Sequence, residues 1–315
     1  MEFFSIKPEV FGLDISDSSL KIAKLKKSRV PFFDLASWGE FEIAPRIVKG
    51  GEIRDKQALI KIIKEALAKV KGEKLRTKYA VASLPEQKAF LQVIQMPKMT
   101  KEELQSAIIY EAENHIPLPI EQVYLDFRVI SPSFLKEDSV QEVLVVALPK
   151  TIVDSYLSVF KKAGILPKVF ETESIAISRA LIKNEESQFP LALIDLEETK
   201  ANFIIFLKNS IRFTSSILVS EGQFALLSEE IKKYVEYFQS HHPEIKKIEK
   251  ILVSGNSPKL KEISEILSKD LKISVKFGNP WVNILPEGAN PKLSPEDSLK
   301  YTTALGLALV GVQSK

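Results

Sequence analysis

The chain has 315 residues, 45% apolar and 27% charged, the balance of a globular protein with more length than one core needs. Lys plus Arg (44) exceeds Asp plus Glu (41) by so little that the net charge is +3, which argues for a mixed-charge surface and no nucleic acid partner. With no cysteine and no run near the roughly 20 apolar residues of a membrane span, disulfides, thiolate metal sites and direct membrane insertion are excluded.

The first strand is read at Val10 to Ile15. A polar turn, Ser16 to Ser19, leads into Leu20 to Leu25, so the two apolar runs make a β-hairpin. Phe32 to Ile43 adds strand around Trp38 and Phe41. Gly50-Gly51 breaks the chain before a helix over Asp55 to Val70, with Leu59, Ile62, Ile63, Ala66, Leu67 and Val70 in one stripe opposite the lysines. Tyr79 to Leu84 reads as a buried strand ended by Pro85.

A second unit starts with a strand at Phe90 to Gln95. Thr100 followed by Glu103 is a capping box, so a helix begins there, with Leu104, Ala107, Ile108 and Ala112 on its apolar side. Pro117 and Pro119 stop it. Strands at Val123 to Ile130 and Gln141 to Ala147 flank a polar loop, and a helix over Ile152 to Ala163 ends at Gly164. The order β-α-β-β-α is a compact two-layer insertion.

Leu191 to Asp195 and Ala201 to Leu207 repeat the opening pattern of strand, acidic turn and strand, and Ile211 to Val219 adds a third strand. A helix fills Phe224 to Gln239, then come a strand at Lys250 to Ser254, a helix over Pro258 to Leu271 and a short strand at Val275 to Phe277. Asn279 to Pro295 reads as irregular, and Ser298 to Val310 closes the chain as an Ala/Leu-rich helix. The two similar openings point to duplicated α/β domains.

Three loops carry the candidate chemistry: Gly12-Leu-Asp14-Ile-Ser16-Asp-Ser18-Ser19-Leu-Lys21, Leu193-Ile-Asp195-Leu-Glu197-Glu-Thr199, and Ile251-Leu-Val-Ser-Gly255-Asn-Ser. Hairpin turns offer backbone N–H groups to phosphate oxygens, and a strand-end aspartate can hold Mg²⁺ through water. The stretches GLDISDSSLK, QMPKMTKEELQSAIIYEAENHIPLP with VYLDFRV, VLVVALPKTIVDSYLSVFKKAGI, KILVSGNSPKL and YTTALGLALVG together resemble the PilM family of type IV pilus assembly proteins, actin-fold relatives of FtsA.

That resemblance implies an α/β, two-lobed actin-like (ribonuclease H-like) fold. Its first lobe takes 1–86 with 164–190 and 298–315, the inserted subdomain 87–163, and the second lobe 191–297. After Ser220-Glu-Gly222 this sequence departs from the family by lacking a stretch of helices on the adenosine side, so a shortened fourth subdomain is expected. The resemblance implies a scaffold on the cytoplasmic face of the inner membrane that binds the cytoplasmic N-terminal segment of a PilN-like membrane protein in a groove near the insertion. Other pilus assembly proteins are implied as further partners, and self-association stays open. It also implies ATP with Mg²⁺: phosphate contacts at Asp14, Ser16, Ser18, Ser19, Lys21, Asp195, Thr199 and Gly255, and metal contacts at Asp14 and Asp195.

The departures from the family pattern all bear on nucleotide. Ser16 and Glu197 stand where glycine is usual, Asn256 replaces a partner glycine, and Asp17 puts a carboxylate where polyphosphate lies. They argue against tight ATP binding and for a weak ATPase at most. His115, His241 and His242 read as solvated helix-end residues, and Glu111 and Glu113 face different ways on their helix, so neither a metal site nor an acid/base pair is expected.

Two other readings compete. An FtsA-like division protein would need a lipid-docking C-terminal helix, and the end GLALVGVQSK has none. A sugar or acetate kinase of the same superfold would need glycine-rich phosphate loops.

Overall fold

The structure is a computed structural model that describes residues 8–29, 31–130, 139–219 and 224–313. The polar loop expected after Ile130 and the Ser220-Glu-Gly222 stretch lie outside those residues.

The opening hairpin is β1 (Phe11–Ile15) and β2 (Ser19–Lys27), extended by β3 (Phe33–Glu42). A two-residue hairpin, β4 (Val48–Lys49) and β5 (Glu52–Ile53), turns through Gly50 and Gly51, whose φ angles of 57° and 74° favour glycine. The helix α1 (Lys56–Lys69) is capped by Asp55, which accepts the Ala58 N–H at 2.9 Å, and it buries Leu59, Ile60, Ile63 and Ala66. β6 (Lys71–Gly72) adds to the edge of β3, and β7 (Tyr79–Leu84) runs parallel to β1.

The inserted segment is β8 (Phe90–Pro97), α2 (Lys101–Glu113), β9 (Val123–Ile130), β10 (Val140–Pro149) and α3 (Lys150–Ala163). The capping box is formed: Thr100 Oγ1 accepts the Glu103 N–H at 3.2 Å, and the Glu103 carboxylate accepts the Thr100 N–H at 2.8 Å.

β11 (Leu166–Thr172) and α4 (Glu173–Leu181) follow, and neither was expected from the sequence. β11 is a proline-containing edge strand without apolar alternation. α4 is nine residues long and buried on nearly every side, so it lacks an amphipathic stripe.

Next come β12 (Ser187–Leu196), β13 (Lys200–Lys208), β14 (Ser210–Leu218), α5 (Phe224–His241), β15 (Lys250–Ser254), α6 (Leu260–Leu271) and β16 (Ser274–Phe277). The closing helix divides at Tyr301 into α7 (Pro295–Lys300) and α8 (Thr302–Gln313).

The chain divides into two compact units: Met1–Pro85 with Ser155–Leu181 and Asn279–Lys315, and Glu86–Asp154 with Ile182–Gly278. The first holds a six-stranded sheet in the order β11-β7-β1-β2-β3-β6. α8 lies on this sheet and against α4 at close range. A Cβ at Gly12 would run into the Ala304 carbonyl, and one at Gly306 into the Ala176 carbonyl.

The second unit holds two sheets. The five-stranded one, β14-β13-β12-β15-β16, packs Phe203, Ile205 and Val253 against Leu227, Ile231 and Leu267 of its helices. The three-stranded one, β8-β10-β9, packs Ile94, Val143 and Val145 under Leu104, Ile108 and Ala112 of α2. Between β14 and β15 the described residues hold one helix, α5.

Gly306→Ala forces backbone apart where α8 meets α4, so it should destabilise by about 3 kcal/mol, read as a lowered urea midpoint with an unchanged slope. A neutral result would show that the two helices can separate at no cost.

Candidate functional site

In the first unit the β1–β2 turn builds a buried polar cluster. Ser16 N–H donates to the Ser19 carbonyl at 2.8 Å, and Ser19 N–H donates to Ser16 Oγ at 3.2 Å. Lys21, only 2% exposed, aims its ammonium at Ser19 Oγ, 2.8 Å away. Asp14 stands opposite Lys21 in the hairpin register, and its Oδ1 accepts the Ser83 hydroxyl from β7 at 2.9 Å. The same Ser83 Oγ accepts the Ile15 N–H at 3.2 Å. Ser18 lends its carbonyl to the Ile43 N–H, which ties the turn to the chain beyond β3. A buried ammonium beside serine hydroxyls and a turn of backbone N–H groups fits a phosphate oxygen.

Asp17 is tied to a second turn. Its carboxylate accepts the N–H of Gly50 at 2.6 Å and of Gly51 at 3.0 Å, so it is bound to the β4–β5 turn. The Gly51 carbonyl in turn accepts the hydroxyl of buried Tyr156 on α3 at 3.1 Å. Two backbone donors stabilise the Asp17 charge where it stands. Ser83, Gly50-Gly51 and Tyr156 were not marked by sequence reasoning, because each lies more than 30 residues from its partner.

The second unit repeats the strand-end device. Asp195 Oδ1 accepts the Ser254 hydroxyl at 2.6 Å, and the two residues are register partners on β12 and β15. Here Asn202 stands opposite the aspartate, where the first hairpin has lysine. Glu197 is buried with its carboxylate 3.8 Å from the ammonium of buried Lys200, so the extra acid is charge-compensated. Thr199 is exposed, and its carbonyl accepts the Val219 N–H at 2.8 Å. Gly255 has φ 118°, and a Cβ there would run into the Leu196 backbone. That close approach is reason enough for glycine at this position.

The inserted segment exposes apolar side chains. Tyr110 is 74% exposed and Ile109 beside it 43% on α2, while Tyr124 and Val129 face solvent on β9. The sequence expected some exposed apolar residues between Ile94 and Phe127, and three of these four lie there. Tyr124 donates to Asp154 at 3.1 Å, which raises the pKa of its phenol. A cavity of about 210 Å³ in the same unit is lined by Phe90, Ile94, Ala112, Ile116 and Val145, with Gln92, His115 and Thr214 as polar members.

The segment is joined to β14 by the buried pair Glu142–Arg212 at 2.7 Å. His115 contacts Glu111 at 3.3 Å, and His241 contacts the Tyr237 carbonyl. Among the described residues no three His, Asp or Glu side chains are grouped to hold a metal.

The family described as type IV pilus assembly protein PilM matches residues 12–217, which covers the first two loops and the whole insertion. Among solved structures, a chain of a PilM–PilN type IV pilus biogenesis complex is 23% identical, with a TM-score of 0.83 over 98% of this chain and 100% of that one. The ethanolamine utilization protein EutJ of Carboxydothermus hydrogenoformans is 14% identical, with a TM-score of 0.51 over 97% of this chain and 90% of its own. The cytoplasmic domain of EpsL, an inner-membrane component of the type II secretion system of Vibrio cholerae, is also 14% identical at 0.51, over 98% and 96%. The fold is α/β and actin-like.

Asp17→Ala removes a carboxylate from two backbone donors and should cost about 2 kcal/mol; Tyr156→Phe should cost about 1 kcal/mol. Because both act on Gly51, the double variant should fall short of the sum in urea denaturation. Strict additivity would mean that the Gly50-Gly51 turn does not link the loop to α3.

Proposed function

The chain belongs to the type IV pilus assembly protein PilM family, and on that premise we propose that it is an assembly scaffold binding the cytoplasmic N-terminal segment of a PilN-like inner-membrane protein. The observation that carries the reading is the solvent-facing apolar set on the inserted segment, Ile109, Tyr110, Tyr124 and Val129. β9 is an edge strand, so an extended peptide can add main-chain hydrogen bonds there while its side chains meet these residues. That a PilM–PilN complex has the same architecture supports a partner of this kind. Such a partner would hold the protein peripherally at the cytoplasmic face of the inner membrane; among the described residues no helix is long and apolar enough to cross it.

Nucleotide is the secondary ligand in this reading. In the first loop Lys21 would neutralise phosphate, with Ser16, Ser18 and Ser19 supplying hydroxyl and turn donors. Asp14 and Asp195, each oriented by one serine hydroxyl, would take Mg²⁺ through water. When bound, ATP with Mg²⁺ supplies a polyphosphate anion. The second loop fits phosphate less well, because Glu197 adds a buried carboxylate where the family has glycine and draws on Lys200, and Thr199 and Gly255 would contribute at its rim. Scaffolding with slow or absent turnover accounts for both loops.

Calorimetry should show a peptide copying the partner's N-terminal segment binding the full chain. Tyr110→Ala and Tyr124→Ala should each weaken it about tenfold, near 1.4 kcal/mol, with Leu226→Ala on α5 as the unaffected control. Lack of peptide binding by the unaltered chain removes the scaffold reading. In a parallel titration Lys21→Ala should abolish whatever ATP heat the unaltered chain gives and leave peptide affinity unchanged.

A further inference from the structure

The long strands of the six-stranded sheet each have one end on the side of the Ser16–Ser19 turn and one end far from it. β7 and β11 run parallel to β1, and β2 runs antiparallel. The starts of β1, β7 and β11 and the end of β2 therefore share the far end. Three separate stretches of chain bring cations to it. The end of β2 and the connection to β3 carry Lys26, Lys27 and Arg29. The approach to β7 carries Lys74, Arg76 and Lys78. The end of α3 and the start of β11 carry Lys161, Lys162 and Lys168.

All nine are exposed, and along these stretches and the start of β1 the described residues set three acids, Glu9, Asp34 and Glu73, against them. The surface is thus segregated rather than evenly mixed. Two acids already have partners within it: Glu9 meets Lys24 at 2.6 Å and Glu73 meets Lys26 at 2.6 Å. Among the charges stand exposed Leu166 and Val169, and the Tyr79 ring lies 4.5 Å from the Lys168 ammonium and 5.9 Å from that of Lys78.

We propose that this end of the sheet is a membrane-adsorbing surface that takes anionic phospholipid headgroups. Seven of the nine cations are lysines, mobile point charges suited to a fluid anionic surface, whereas base and phosphate readout in nucleic acids favours the planar fork of arginine. Leu166, Val169 and Tyr79 supply the apolar and aromatic groups that settle at a headgroup boundary. Adsorption here would turn the Ser16–Ser19 turn away from the bilayer. The use of this surface in the cell rests on the partner reading above, since a membrane-anchored partner raises the local concentration of lipid; the adsorption itself does not.

The test is co-sedimentation of the full chain with vesicles of phosphatidylcholine containing about one-third phosphatidylglycerol, against pure phosphatidylcholine, with salt raised from about 50 to about 500 mM. The anionic vesicles should bind the chain and release it with salt, and the neutral ones should not bind it. The variant Lys74→Glu, Arg76→Glu, Lys78→Glu should lose more than about tenfold, and Lys161→Glu, Lys162→Glu a smaller factor. Lys232→Glu, Lys233→Glu on α5 should bind as the unaltered chain does. Melting temperature and partner-peptide affinity confirm that each variant is folded. Equal binding to neutral vesicles, full binding by the triple variant, or salt-sensitive binding to single-stranded RNA without vesicle binding overturns the proposal. Vesicle binding without peptide binding would sink only the partner reading, and the reverse only this one.

Discussion

Both units depend on one constraint: a carboxylate buried at the end of a hairpin strand must be held by the strand beside it. Burying a carboxylate costs several kcal/mol unless hydrogen bonds replace its water. Asp14 meets this through Ser83 and Asp195 through Ser254. In each case the serine arrives on a parallel strand, which a chain reaches only through a crossover. The crossover includes α1 in the first unit and α5 in the second, so hairpin, helix and parallel strand are fixed together. The units then diverge at the residue opposite the aspartate, lysine at 21 and asparagine at 202.

The inserted segment is set by a different buried charge. Burial lowers the pKa of Arg212, and Glu142 at 2.7 Å raises it, so the carboxylate offsets part of the cost of burying the guanidinium. Exchanging such a pair for apolar residues is often neutral in stability, so its value here is in specifying how β10 meets β14. Arg128 adds a hydrogen bond to the Asn209 carbonyl at 3.2 Å from the neighbouring strand. With β8 and β10 committed in this way, the outer faces of α2 and β9 are left to solvent, and that is where the exposed aromatic residues stand.

Much of this was legible in the sequence where a local rule and a burial pattern agreed. The capping box at Thr100, the strands at Tyr79–Leu84 and Lys250–Ser254, and the repeated hairpins are of that kind. β11 and α4 were not, since one is an edge strand with a proline and the other is enclosed by α8. The long-range partners of the loop residues were not legible. Gly50 and Gly51, whose N–H groups Asp17 accepts, lie beyond any local window. The extra acid at 197 was likewise read without the ammonium of Lys200.

Net charge failed for the same reason that local windows did. A value of +3 averages over a surface on which strand direction sorts the charges. Parallel strands send their C-terminal ends, with Asp14, Ser16 and Ser83, to one side, and the connections that start them to the other. Catalytic and ligand groups collect at the first side because turns there present backbone donors. The opposite side is free to vary in charge without disturbing them. Nine cations accumulate there at no cost to the buried cluster, because they lie at the opposite ends of the strands from the Ser16–Ser19 turn and salt screens exposed charges beyond about 10 Å. The sheet's polarity thus lets one small unit hold the buried Asp14–Ser83 and Lys21–Ser19 contacts at one end and clustered cations at the other, and neither is visible in composition alone.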